Sequence, residues 1–140
     1  MTTEAPPQPK DIPEVILVAE DSAPNRQILC HLIKQFGYEV IEAKDGKEAL
    51  KLLLGIGPDK KLVGIFSDLM MPEMDGIQLL KAVRENEKFK GVFFTLVTAV
   101  ADKQRVLDAK QYEVDGYVLK PVSYDKIQKK LISLSRFAGK

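Results

Sequence analysis

The chain holds one cysteine, Cys30, one histidine, His31, and a formal net charge of only +1 over 140 residues. A lone cysteine cannot close an internal disulfide, which fits a reducing compartment. So small a charge balance provides no global field to draw the chain onto nucleic acid or an anionic membrane. No apolar run approaches the roughly 20 residues that cross a bilayer. The first thirteen positions, polar and rich in proline, contain no apolar segment that could serve as a secretory signal. The expectation is a cytoplasmic protein, without membrane insertion and without direct nucleic-acid contact. What remains is ordinary for one globular domain: 45% apolar and 29% charged residues, in a length for which a second domain is a poor prior.

Positions 1–13 carry Pro6, Pro7, Pro9 and Pro13, and are expected to form a disordered leader ahead of a domain spanning 14–138. Val15 to Ala19 is a continuous apolar run, the pattern of a strand buried on both faces. The period then changes. Ser22 can cap a helix with Pro24 in its first turn and Gly37 beyond its end, with Ile28, Leu29, Leu32, Ile33 and Phe36 on one stripe. The alternation repeats: a strand at Tyr38–Ala43, then a helix at Lys47–Leu54 with Ala49, Leu50, Leu53 and Leu54 inward, broken by Gly55, Gly57 and Pro58. A third strand, Leu62–Ser67, ends at Asp68. A helix after Gly76 buries Ile77, Leu79, Leu80 and Val83. Val92–Val97 is a fourth strand, Asp102 to about Tyr112 a helix, Gly116–Leu119 a fifth strand, and Tyr124 to about Phe137 a last helix. Strands alternating with helices predict an α/β fold with a doubly wound, five-stranded parallel sheet and helices on both faces.

In such sheets ligands bind beyond the carboxyl ends of the strands. Four of the five predicted strands deliver polar residues there: Glu20-Asp21, Asp68, Thr98 and Lys120-Pro121. The second ends in Ala43-Lys44, ordinary surface. Where the first, third and fourth strands are neighbours, three carboxylates meet in one crevice, and their mutual repulsion calls for a cation. Oxygen donors without histidine or cysteine select a hard ion, and Mg²⁺ suits one or two direct carboxylates plus waters. A phosphoryl group then fits beside it, with Lys120 opposite the ion and Thr98 as a hydrogen-bond donor. Asp68 is the candidate nucleophile, giving an aspartyl phosphate.

Together, Glu20-Asp21, the run Asp68-Leu69-Met70-Met71-Pro72-Glu73-Met74-Asp75-Gly76, Val97-Thr98-Ala99 and Tyr117-Val118-Leu119-Lys120-Pro121 resemble the receiver domain of two-component response regulators, of the CheY-like single-domain type. The resemblance covers about Val15 to Phe137 and implies the flavodoxin-like strand order 2-1-3-4-5. It implies that Asp68 accepts a phosphoryl group from the phosphohistidine of a histidine kinase or histidine phosphotransfer protein. Asp21, Asp68 and the backbone carbonyl of Met70 would ligate Mg²⁺, with Mn²⁺ a substitute, and Glu20 would act through a water. Thr98 and Lys120 would bind phosphoryl oxygens. Thr98 would also act as a switch with Tyr117, reshaping the surface of the fourth helix, fifth strand and fifth helix for a downstream protein. Pro121 would follow a cis peptide bond. Apolar Met70 and Val100, two residues past Asp68 and Thr98, imply an unassisted dephosphorylation no faster than average. Where relatives usually have a small pair with glycine, this chain reads Gln111-Tyr112-Glu113-Val114, so the end of the fourth helix departs from the pattern.

Taken singly, these residues have plainer readings. Glu20-Asp21 could be helix-start charges, Asp68 a turn former, Thr98 a β-branched strand residue and Lys120 a solvated charge. Four such coincidences at four strand ends are the weaker account. His31 reads as surface, Cys30 as a small packed residue, and Lys126, Lys129 and Lys130 as a solvated face. The chain is expected to act as a stand-alone monomeric module that catalyses only its own phosphorylation and dephosphorylation, with dimerisation on phosphorylation left open. The alternatives are the receiver part of a larger regulator or hybrid kinase, or a phosphate sink. From another class, a Mg²⁺-dependent aspartate-based phosphatase would want an aspartate where Met70 stands. A flavin-binding protein would want a glycine-rich loop where Asp21-Ser22-Ala23-Pro24 stands.

Overall fold

Apolar residues on both faces of the inner strands require two covering layers, and the structure supplies them. The computed structural model describes residues 12–99 and 103–138. Its elements are β1 (Glu14–Ala19), α1 (Ala23–Lys34), β2 (Glu39–Ala43), α2 (Gly46–Leu54), β3 (Lys61–Asp68), α3 (Gly76–Glu85), β4 (Phe93–Thr98), α4 (Lys103–Gln111), β5 (Gly116–Leu119) and α5 (Tyr124–Ala138). The strands are parallel in the order β2-β1-β3-β4-β5, as the resemblance implies.

Period-two alternation sorts the strand residues between two cores. Leu17, Ala19, Ile65, Phe94 and Leu96 pack with Ala49 and Leu53 of α2, Leu79, Leu80 and Val83 of α3, and Ala109 of α4. Ile16, Val18, Phe66, Phe93, Val97 and Val118 face Leu29, Cys30 and Ile33 of α1 and Ile127, Leu131 and Leu134 of α5. Burial pushes the Cys30 thiol up to about 12, so it packs as an inert apolar group. No helix among the described residues is long and apolar enough to cross a membrane.

The helix signals match their mechanisms. The Ser22 hydroxyl accepts from the Asn25 amide, with Pro24 in the first turn of α1. Asp75 and Gln78 form a reciprocal capping box at the start of α3. Two expected core residues are exposed, Ile28 at 51% and Leu54 at 61%, and Leu32, Phe36, Leu50 and Ile77 are partly buried. The buried stripe of α1 centres on Leu29 and Ile33, four residues apart, which turns Ile28 toward the carboxyl edge of the sheet; Leu54 occupies the last position of α2. Positions 1–11 of the expected leader, Val100, and Asp102 as a helix start lie outside the described residues.

The unusual end of α4 has a definite geometry. The Val114 amide donates to the Ala109 carbonyl and the Glu113 amide to that of Lys110, while Glu113 has φ 58°. This is a Schellman closure with glutamate in the left-handed position that glycine usually fills.

Candidate functional site

The strand order sets the carboxyl edges of β1, β3, β4 and β5 side by side. Asp68 is in register with Val97 across β3 and β4, and Thr98 with Leu119 across β4 and β5. Glu20 follows β1 directly, its amide donating to the Ala43 carbonyl of β2. The Lys120 amide donates to the Thr98 carbonyl at 2.8 Å, and the Lys120–Pro121 peptide is cis.

Glu20, Asp21 and Asp68 each offer a carboxylate oxygen, and these atoms lie within 4.8 Å of one another. Glu20 and Asp68 are buried and Asp21 is exposed. The Lys120 ammonium bridges the two buried acids, with Nζ 2.5 Å from Glu20 Oε1 and 2.9 Å from Asp68 Oδ2. The other oxygens face backbone donors: the Ser22 amide donates to Glu20 Oε2 and the Met70 amide, at 3.4 Å, to Asp68 Oδ1. Burial raises the Glu20 carboxyl above its ordinary value, against the lowering pull of Lys120 and the Ser22 amide. Burial alone would lower Lys120, but its hydrogen bonds and charge contacts with Glu20 and Asp68 outweigh that and raise it. Two buried acids and a third nearby face one ammonium. A hard divalent cation fits this all-oxygen set.

Thr98 ends β4 at the same edge and is buried. Tyr117, in register with Leu96, is half-buried against the α2–α4 side of the core. The Met70 side chain is 57% exposed. A cleft of about 380 Å³ opens beside Glu20 and Lys120, walled by Ile28, Leu29, Val97 and Pro121 among others. Gly76 lets α3 begin directly under the phosphoacceptor candidate: an added Cβ would collide with the Asp68 carbonyl oxygen and the Leu69 Cα.

Three arginines escaped the sequence reading. Arg26 of α1 donates from Nη1 to the Glu20 carbonyl at 2.8 Å and from Nε to Glu42 Oε1 at 3.2 Å. Arg105 of α4 pairs with Asp75 Oδ2 at 3.0 Å, tying the loop after Asp68 to that helix. Arg84 works at the opposite edge of the sheet, where its guanidinium reaches the carbonyls of Lys90, Val92, Tyr112 and Glu113 and the carboxylate of Asp115. Their acceptors are mostly main-chain carbonyls, which no side-chain pattern announces.

Comparison with known proteins agrees with this layout. Residues 16–132 match the response regulator receiver domain model. Over 117 residues the chain is 34% identical to the chemotaxis protein CheY1 of Helicobacter pylori, covering 83% of this chain and 92% of that protein. The solved chemotaxis protein CheY4 of Vibrio cholerae superposes with a TM-score of 0.79 at 29% identity, covering 87% of this chain and 98% of that one. The response regulator TrrA of Thermotoga maritima, solved in complex with Mg²⁺–BeF, gives 0.74 at 26% identity, covering 86% and 98%. With a match across most of its length and this strand order, the chain belongs to the response regulator receiver domain family.

Proposed function

We propose that the chain accepts a phosphoryl group on Asp68 from the phosphohistidine of a sensor kinase or histidine phosphotransfer protein, with Mg²⁺ required and Mn²⁺ a substitute. The observation that carries this reading is one buried carboxylate, Asp68, set between an ammonium and two further carboxylates. In the transfer, an Asp68 oxygen bonds to phosphorus while the phosphorus–nitrogen bond breaks, and the leaving imidazole takes up a proton. Asp21, Asp68 and the Met70 carbonyl would hold the cation directly, and Glu20 through a water. When bound, the ion supplies positive charge against the transferring group and against the crowded acids.

The chain's own residues do the rest. Lys120 exchanges its carboxylate contacts for phosphoryl oxygens, and the Thr98 hydroxyl binds another. The cleft walled by Ile28, Glu20 and Lys120 would offer the donor imidazole a place to dock beside the acidic cluster. Movement of Thr98 gives Tyr117 room to turn inward, which alters the surface of α4, β5 and α5 and its affinity for a downstream protein. The chemistry stays confined to the protein's own phosphorylation and dephosphorylation. The Mg²⁺–BeF complex of TrrA supports the reading, since that protein shares this fold at 26% identity.

The test is incubation with acetyl phosphate, or with beryllofluoride, in the presence of Mg²⁺, read by intact mass or NMR. Wild type should gain one phosphoryl group and Asp68→Asn none; unchanged labelling of Asp68→Asn would defeat the assignment. Lys120→Ala should keep some labelling and lose the shift in α4, β5 and α5 resonances.

A further inference from the structure

We infer that Arg26 is a positioning residue for the cation site: it aims Asp21 by gripping the peptide from which Asp21 hangs. This inference rests on the proposed Mg²⁺ site. Asp21 is exposed, and among the described residues no hydrogen bond holds its carboxylate. Its direction therefore depends on the Glu20–Asp21 peptide plane. That plane is fixed at its carbonyl by Arg26 Nη1 at 2.8 Å. The preceding Glu20 amide is held by the Ala43 carbonyl, and the Ser22 amide beyond by Glu20 Oε2.

Arg26 is itself anchored at two points. Its amide donates to the Ser22 carbonyl in the first turn of α1, and its Nε donates to Glu42 at the end of β2. The side chain is 21% exposed. A planar guanidinium serves two acceptors in fixed geometry, which a lysine ammonium cannot reproduce. The arrangement spans the carboxyl ends of β1 and β2, and so fixes where an Asp21 oxygen meets those of Glu20 and Asp68.

The sign of the effect separates positioning from charge. A guanidinium beside a cation site repels the ion, so a purely electrostatic role would make Arg26→Ala bind Mg²⁺ more tightly. Positioning makes it bind more weakly, by about tenfold or more, the scale on which groups orienting metal ligands act. The experiment is Mg²⁺ titration by calorimetry on wild type, Arg26→Ala, Arg26→Lys and Glu42→Gln. Amide hydrogen exchange at Asp21 and Ser22 is measured alongside in the metal-free proteins. Arg26→Ala should weaken binding and speed that exchange, and Arg26→Lys should fall between it and wild type. Glu42→Gln keeps an oxygen for Nε and should stay within about twofold of wild type. Arg26→Ala binding as tightly as wild type, or more tightly, would overturn the inference alone. Wild type taking up no Mg²⁺ would overturn the proposed function with it.

Discussion

Two cationic side chains bridge neighbouring elements at opposite edges of this sheet, and their partners differ in kind. Arg84, at the amino edge, donates to four main-chain carbonyls and to Asp115 Oδ2, an oxygen that also accepts from the Phe94 amide. Its donors are met by fixed dipoles and a single carboxylate, and its side chain is 12% exposed. Lys120, at the carboxyl edge, bridges two buried carboxylates, with Asp21 close by. The amino edge is saturated and has nothing to exchange. The carboxyl edge is short of positive charge, so a cation or a rearranged lysine improves it. A destabilised cluster of this kind persists where the surrounding structure over-determines it, and such clusters gather at functional sites.

The widest separation between the edges should appear on removing each cation. Arg84→Ala takes a donor from four carbonyls and leaves Asp115 only the Phe94 amide. The change should cost about 3 kcal/mol in urea denaturation, since acceptors that lose a donor inside the fold keep part of their desolvation penalty. Arg84→Lys should recover only part of it. Mg²⁺ affinity should hold within about twofold for any Arg84 variant that remains folded; a tenfold loss would show the two edges to be coupled. Lys120→Met should cost about 2 kcal/mol without divalent cation, discounted because the cluster is partly open to solvent. Millimolar Mg²⁺ should restore most of that loss, whereas no salt should restore Arg84→Ala. Equal rescue of both would erase the distinction.

The carboxyl edge should also carry a pH signature. A carboxyl whose value is raised by folding stabilises the fold fully below its ordinary value, here 4.5, and that stability is lost as pH rises through the folded value. Lys120, raised above 10.5, keeps its contribution until pH climbs through its own folded value. Metal-free wild type should therefore lose ground to Glu20→Gln as pH rises from 4.5 toward neutrality, and Mg²⁺ should narrow the gap. Denaturation midpoints of the two proteins that move in parallel across that range would refute the mechanism.

The two edges were not equally legible in the amino-acid order. Asp68, Thr98 and Lys120 stand out because each interrupts or ends an apolar run, and a parallel sheet must gather such residues at one edge. The strand order that makes β1, β3 and β4 neighbours came only through family resemblance, because alternation fixes element type and not adjacency. Arg84 follows the buried Val83 and reads as an ordinary charge near a helix end. Its acceptors lie 6 to 31 positions away and are mostly backbone. Ile28 fits the helical stripe of α1, yet it overhangs the cleft, because a period cannot tell the centre of a buried face from its margin.

The smallest expected effect lies where the amino edge meets the end of α4. Glu113 holds a left-handed φ of 58°, which costs a residue with a Cβ about 1 kcal/mol. Its carbonyl accepts from Arg84 Nη2 at 2.7 Å, so the saturated edge helps to hold the strained residue in place. Glycine adopts the same φ without steric cost, although it gains entropy in the unfolded chain, which offsets part of the benefit. Glu113→Gly should therefore stabilise the protein by about 0.5 kcal/mol. In the Arg84→Ala background the gain should be larger, because the turn then keeps only its backbone bonds to Ala109 and Lys110 and loses its side-chain clamp. A double-mutant cycle measures the difference. Strict additivity would mean that Arg84 and the closure of α4 are independent, and that the amino edge is a set of separate bonds without a shared clamp.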